Sequence, residues 1–123
     1  MSYTIQQVTK ITGISAHTLR YYEKEGLLSD IARSGGGIRL FSDADLEQLN
    51  HITCLKGTGM PIKEIKRYID LCNAGEDTCA ERLAILTAQR EQVLQQIADL
   101  QNHLVNVDRK IEYYNDCCKH CKH

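Results

Sequence analysis

The 123-residue chain has no surplus of charge of either sign, its formal net charge being −1. That excludes a broad basic coat of the kind that grips nucleic acid without selectivity, so any such contact must come from a small, local basic surface. The opening Met-Ser-Tyr-Thr-Ile has no apolar signal region, and no hydrophobic run approaches membrane-spanning length. The chain is therefore expected in the cytoplasm, with no membrane partner, where its six cysteines stay reduced. An even cysteine count there points to metal, redox chemistry or buried thiols rather than a disulfide framework. The sequence also lacks a phosphate-cradling glycine loop and any Cys-x-x-Cys beside a βαβ pattern. Cys118-Lys-His-Cys121 has that spacing, but on a terminal tail with no fold around it. A small thiol redox enzyme is accordingly the weaker expectation, and the chain is not expected to be an enzyme.

What is present begins with residues 15 to 26, Ser-Ala-His-Thr-Leu-Arg-Tyr-Tyr-Glu-Lys-Glu-Gly. Ser15 is a good N-cap and Gly26 a good C-terminal stop, so both ends of a short helix are specified. Upstream, Thr4 with Gln7 fits a capping box. Ile5, Val8 and Ile11 share one face, and Gly13 ends the helix. Two short helices joined by Gly13-Ile14-Ser15 make a helix-turn-helix, whose second helix suits the DNA major groove. That helix is expected to expose Arg20, Tyr21, Tyr22 and Lys24, with His17 and Thr18 near its start. Arginine can fork onto a guanine edge or clamp a phosphate, and tyrosine hydroxyls and lysine favour phosphate.

Beyond Gly26, three consecutive glycines, Gly35 to Gly37, interrupt a short apolar-polar pattern and predict a small β-hairpin. Beside a helix-turn-helix this hairpin is a wing, with Arg33 and Arg39 flanking its turn. Ser42 and Asp45 open a third helix with the stripe Leu46, Leu49, Ile52 and Leu55. Gly57 to Gly59 stop it, and Pro61 starts a fourth helix carrying Ile62, Ile65 and Ile69. A break follows at Asn73-Ala74-Gly75.

From Cys79 to Asp116 there is neither glycine nor proline. A seam runs through Cys79, Leu83, Leu86, Arg90, Val93, Ile97, Leu100, Leu104, Val107, Ile111 and Tyr114, in the three-and-four alternation of a coiled coil. Such a helix extends on the order of 55 Å, too far for a small domain to cover, so its stripe needs a second chain. The expected protein is mainly α. It has a winged helix-turn-helix domain at 1–72, a linker at 73–78, a dimerisation helix at 79–116 and a Cys/His-rich tail at 117–123.

Several collinear stretches resemble the MerR family of bacterial transcription regulators. They are Thr4-Ile-Gln-Gln-Val-Thr through Gly13-Ile-Ser, Thr18-Leu-Arg-Tyr-Tyr-Glu, Gly26-Leu-Leu, and Gly36-Gly-Ile-Arg-Leu-Phe-Ser-Asp-Ala-Asp-Leu. The resemblance implies sequence-specific binding of double-stranded promoter DNA by a homodimer joined through an antiparallel coiled coil. Thr4, Ser15 and Phe41 join the expected DNA-binding set. Activation would come from distorting the promoter so that RNA polymerase can use it.

Two signals for such a switch are in the sequence. Cys54 lies one helical turn after His51 and near Lys56, neighbours that favour the thiolate. The run Cys54-Leu-Lys-Gly-Thr-Gly-Met resembles the branch of the family that answers aldehydes and nitrosative stress. No cofactor is required for that. The alternative is a Zn²⁺ or Cu(I) response through Cys79 with Cys117, Cys118, His120 and Cys121. In an antiparallel dimer Cys79 would face Cys117 and Cys118 of the partner subunit.

Overall fold

A computed structural model of the chain describes residues 1–28 and 31–120. It divides into two units, Met1–Leu83 and Ala84–His123.

The first unit opens with a two-residue strand, β1 (Ser2–Tyr3), followed by α1 (Ile5–Thr12) and α2 (Ala16–Lys24). Both ends of α1 are set locally. The Thr4 hydroxyl accepts from the Gln7 amide and the Gln7 side chain accepts from the Thr4 amide, closing the capping box. At its other end Gly13 turns with φ +76°, a left-handed value that costs glycine little. The turn is tightened by Thr12, whose hydroxyl donates to the Val8 carbonyl at 2.7 Å and accepts from the Ile14 amide at 3.2 Å. Ser15 then caps α2 by accepting from the Thr18 amide at 3.1 Å.

The wing consists of β2 (Ala32–Arg33) and β3 (Arg39–Ser42), antiparallel, with Arg33 opposite Arg39 and Ala32 opposite Leu40. Its turn is closed by Ser34 and Ile38, whose amide and carbonyl meet at 2.8 Å. The hairpin is not free-standing. β1 pairs with β3 on its other edge, Tyr3 opposite Phe41 and Ser2 opposite Ser42, giving the order β1-β3-β2. Ser42 ends β3 and also caps α3 (Asp43–Gly57), through a capping box with Asp45.

After α3 the chain turns through Thr58 to Met60 and enters α4 (Ile62–Ala74) behind Pro61. The core of this unit gathers Val8, Leu19, Tyr22, Leu27, Leu28, Phe41, Leu49, Ile52, Leu55, Met60, Ile65, Tyr68 and Ile69. Helices α1 to α4 and β3 all contribute to it, which fixes the helix-turn-helix, the wing and α3 against one another. Gly75 ends α4, and a 3₁₀ turn over Glu76–Thr78 leads into α5 (Cys79–His120). Thr78 Oγ1 lies 2.6 Å from the Leu71 carbonyl and 2.7 Å from that of Gly75. Arg82 adds its own bonds, Nε to Thr78 Oγ1 at 3.0 Å and a terminal nitrogen to the Gly75 carbonyl at 3.2 Å.

The second unit is the body of α5. This helix has 42 residues, about 63 Å at the usual rise, and continues past Asp116 to His120. Cys117 and Cys118 therefore stand in its last turns and not on an irregular tail. Cys121 and the His120 side chain, both assigned to the metal alternative, lie outside the described residues. Leu86, Ile97, Leu100, Leu104, Val107 and Ile111 of the expected seam are exposed along it, as is Leu83 near its start, while Val93 is half-buried. Among the described residues no helix is long and apolar enough to cross a membrane.

Candidate nucleic-acid interface and thiol cluster

The geometry of α2 sorts the expected DNA-contacting residues into two groups. His17, Arg20, Tyr21 and Lys24 are exposed, whereas Leu19 and Tyr22 point inward. The expectation that Tyr22 is exposed is thus corrected, since the residue is only 3% exposed. The reason is helical spacing. Tyr22 follows Leu19 by three residues and so shares its face, while Tyr21 lies about 100° away. Only the hydroxyl of Tyr22 reaches outward, where it accepts from Lys56 Nζ at 3.2 Å.

Phe41 is likewise corrected. It is 1% exposed and packs in the core, because on β3 it points to the face opposite its neighbours Leu40 and Ser42. Thr4 and Ser15 spend their hydroxyls on helix caps, Ser15 also donating to Thr18 Oγ1 at 2.9 Å. Thr4 caps α1 at its far end, whereas the Ser15 cap places the N-terminus of α2 at the helix-turn-helix turn. A shallow groove of about 530 Å³ opens there, lined by Gly13, Ser15, Thr18, Tyr22, Thr53 and Lys56, among others.

The wing arginines do not stand alone. Arg39 Nε donates to Glu23 Oε2 at 2.9 Å, and Arg33 donates from one terminal nitrogen to Glu23 Oε1 at 3.3 Å. The other terminal nitrogen of Arg33 reaches the Gly37 carbonyl at 3.3 Å. Glu23 was not singled out from the sequence. Its signal was its place one turn after Arg20 on a helix otherwise bearing cations.

A second cluster lies between α3 and α4. Cys54 is exposed on α3. His51, expected to assist it, turns its ring edge-on to Tyr68 of α4, the centroids 5.9 Å apart. Lys56 likewise goes to Tyr22 and not to the thiol. Tyr68 is buried, and its phenol is held above its ordinary pKa by burial first and by its hydrogen bond to Cys72 second. A charged Cys54 raises it further, and Arg82 opposes these effects. Cys72 is half-buried and helps line a cavity of about 290 Å³ with Asp45, Gln48, His51 and Asn73. Tyr68 thus touches or feels two thiols, His51 and Arg82. It was missed because an aromatic at α4's apolar stripe reads as plain core.

Cys79 accepts from Arg82 at 3.1 Å and stands at the opposite end of α5 from Cys117. Among the described residues, no group of three or more His, Cys, Asp or Glu side chains is arranged to hold a metal ion.

Comparison with known proteins places this geometry. The signature of the MerR HTH family regulatory proteins matches residues 3–72, and that described as MerR, DNA binding, matches residues 46–109. An uncharacterised HTH-type transcriptional regulator of Haemophilus influenzae is 43% identical over 114 residues, spanning 93% of this chain and 84% of that protein. The crystal structure of HiNmlR, a MerR family regulator lacking the sensor domain, bound to promoter DNA, superposes with a TM-score of 0.86 at 41% identity. That match covers 98% of this chain and 95% of the other. A MerR family transcriptional regulator from Bacillus thuringiensis gives a TM-score of 0.83 at 40% identity, over 93% of this chain and all of its own, 100%.

Proposed function

Given that this chain belongs to the MerR family of helix-turn-helix regulatory proteins, we propose that it is a homodimeric promoter switch thrown by thiol-reactive compounds at Cys54. That it is a DNA-binding transcriptional regulator follows from the family. The dimer, the trigger and the mode of action are the proposal.

The observation that carries the trigger is the setting of Cys54. Its thiol is exposed on α3, the helix capped by the last residue of the wing strand and packed against α4. A thiolate there attacks an aldehyde carbon to form a C–S bond, and the carbonyl oxygen takes up a proton from water, leaving a hemithioacetal. The adduct adds bulk and a hydroxyl beside Tyr68 and His51, and so biases how α3 packs on α4. Dimerisation is supported by the exposed row Leu86, Ile97, Leu100, Leu104, Val107 and Ile111, whose burial against a second α5 contributes about 25 cal/mol per Å². Two recognition helices would then read two half-sites. Contacts from both subunits offset the elastic cost of bending or untwisting the promoter into a form RNA polymerase can use. Such a switch works in the cytoplasm and needs no cofactor.

The test is transcription in vitro from a promoter selected by the protein, with and without formaldehyde, for the wild type, Cys54→Ser and Cys79→Ser. Induction lost in Cys54→Ser alone supports the proposal. Full induction in Cys54→Ser overturns it. If Zn²⁺ or Cu(I) induces instead, and Cys79→Ser abolishes that response, the metal alternative replaces it, with Cys79 and Cys117 supplied by different chains.

A further inference from the structure

Arg33 and Arg39 are directly opposite each other across the two wing strands, and like charges in that position repel. Glu23 answers both, one carboxylate oxygen to each guanidinium, at 3.3 and 2.9 Å. It comes from α2, so the same carboxylate joins the recognition helix to the wing. All three side chains are partly exposed, Glu23 to 24%, Arg39 to 28% and Arg33 to 46%. The triad carries a net charge of +1, where two unanswered arginines would carry +2.

This arrangement does two things to DNA binding. First, it removes one positive charge from the surface that meets the phosphates. Sequence-independent affinity rests on such charges, so Glu23 weakens binding to any duplex alike. Second, it fixes the wing arginines relative to the helix that reads bases. Arg39 uses only Nε in the bond to Glu23, and among the described residues its two terminal nitrogens make no hydrogen bond. They remain available for a phosphate, at a place set by α2. A wing held in this way meets the backbone well only when the recognition helix sits in its proper register.

We infer that Glu23 is a specificity-determining residue, a positioning group that ties the wing arginines to the recognition helix and lowers non-specific DNA affinity more than operator affinity. The inference rests on DNA binding by the winged helix and is independent of what the inducer is.

The experiment selects a duplex from a randomised pool with the full wild-type chain. It then measures affinity for that duplex and for poly(dI-dC) from 0.05 to 0.5 M salt, the range spanning strong and weak screening. Wild type, Glu23→Gln, Arg39→Gln and the double variant are compared, with circular dichroism as the check on folding. One added positive charge steepens the log–log salt slope by about 0.9 and raises non-specific affinity roughly eightfold at 0.1 M salt relative to a 1 M reference. Glu23→Gln is expected to show that rise while affinity for the selected duplex stays level or falls, so the specificity ratio drops about as much. Glu23→Gln on the Arg39→Gln background is expected to change the ratio far less. A ratio unchanged in Glu23→Gln, or a parallel fall in both affinities, overturns the inference. If the wild type enriches no duplex at all, DNA binding itself fails and the inference with it.

Discussion

Lys56 of α3 reaches back to Tyr22 of the recognition helix, its Nζ donating to the phenolic oxygen at 3.2 Å and lying 5.4 Å from the ring centroid. The contact turns a residue that the sequence offers as a DNA probe into a structural joint between α2 and α3. It also sets the Lys56 cation on the rim of the groove beside the α2 N-terminus.

Tyr22→Phe keeps the buried ring and loses the hydroxyl, so urea unfolding should show a loss of about 1 kcal/mol or less. Tyr22→Ala empties a core site and should cost about 3–5 kcal/mol. Similar costs for the two variants would mean that the ring does not anchor α2.

Gly26 ends α2 with φ +78°, and a Cβ built there would come within 3.0 Å of Lys66 Cε. Gly26→Ala should destabilise by about 1–2 kcal/mol. The lysine end can swing aside, so most of that cost comes from the backbone. Adding Lys66→Ala should therefore restore little, a comparison that thermal denaturation can make directly.

Asp43 receives the Tyr3 hydroxyl at 2.8 Å and the N-terminal ammonium at 3.4 Å, and its carboxyl is held below the ordinary value of 3.8 by the hydroxyl first and the ammonium second. The Tyr3 phenol is raised above 10.0 chiefly by that same bond. The lowered carboxyl stabilises the fold above pH 3.8 and loses this as pH falls through its folded value. The raised phenol stabilises below pH 10.0 and loses this as pH rises through its folded value. Docking of β1 should accordingly be indifferent to pH between about 5 and 9. It should weaken at both extremes, seen in the Tyr3 ring resonances by NMR. Asp43→Asn should flatten both limbs.

Thr78→Val removes a hydroxyl that serves the Leu71 and Gly75 carbonyls and accepts from Arg82. A loss of about 1–3 kcal/mol is expected, with faster amide exchange confined to residues 75–82. Protection there equal to wild type would show that the turn holds without it.

Much of the first unit was legible because its signals are local. The caps at Thr4, Ser15 and Ser42 act over three or four residues and α1, α2 and α3 begin on them, while Gly13 ends α1 and Gly26 follows the end of α2. β1 was not foreseen. Two residues carry no alternation, and their partners Phe41 and Ser42 lie some forty positions away. Tyr22 was misread because an aromatic beside arginine suggests a ligand, and Phe41 because it lies in a stretch that resembles the family's wing, while helix phase and strand side decide burial. Phe41 had a usable signal, since it immediately precedes the Ser42 cap, where an apolar residue commonly staples the helix start. The Glu23 bridge and the Tyr68 cluster depend on side chains from different elements meeting, which no single stretch of sequence encodes.

Ser42 belongs to β3 and to the cap of α3 at once, with no residue between to absorb rotation. Wing and α3 are therefore geared together, and a twist imposed on one arrives at the other without slack. Linkage makes such gearing run both ways. If Cys54 is the trigger proposed above, a promoter that deflects the wing would also shift the balance of adduct formation there, by the same factor with which the adduct shifts the grip on DNA. A protein built in this way would register chemical stress differently when seated on its promoter than when adrift.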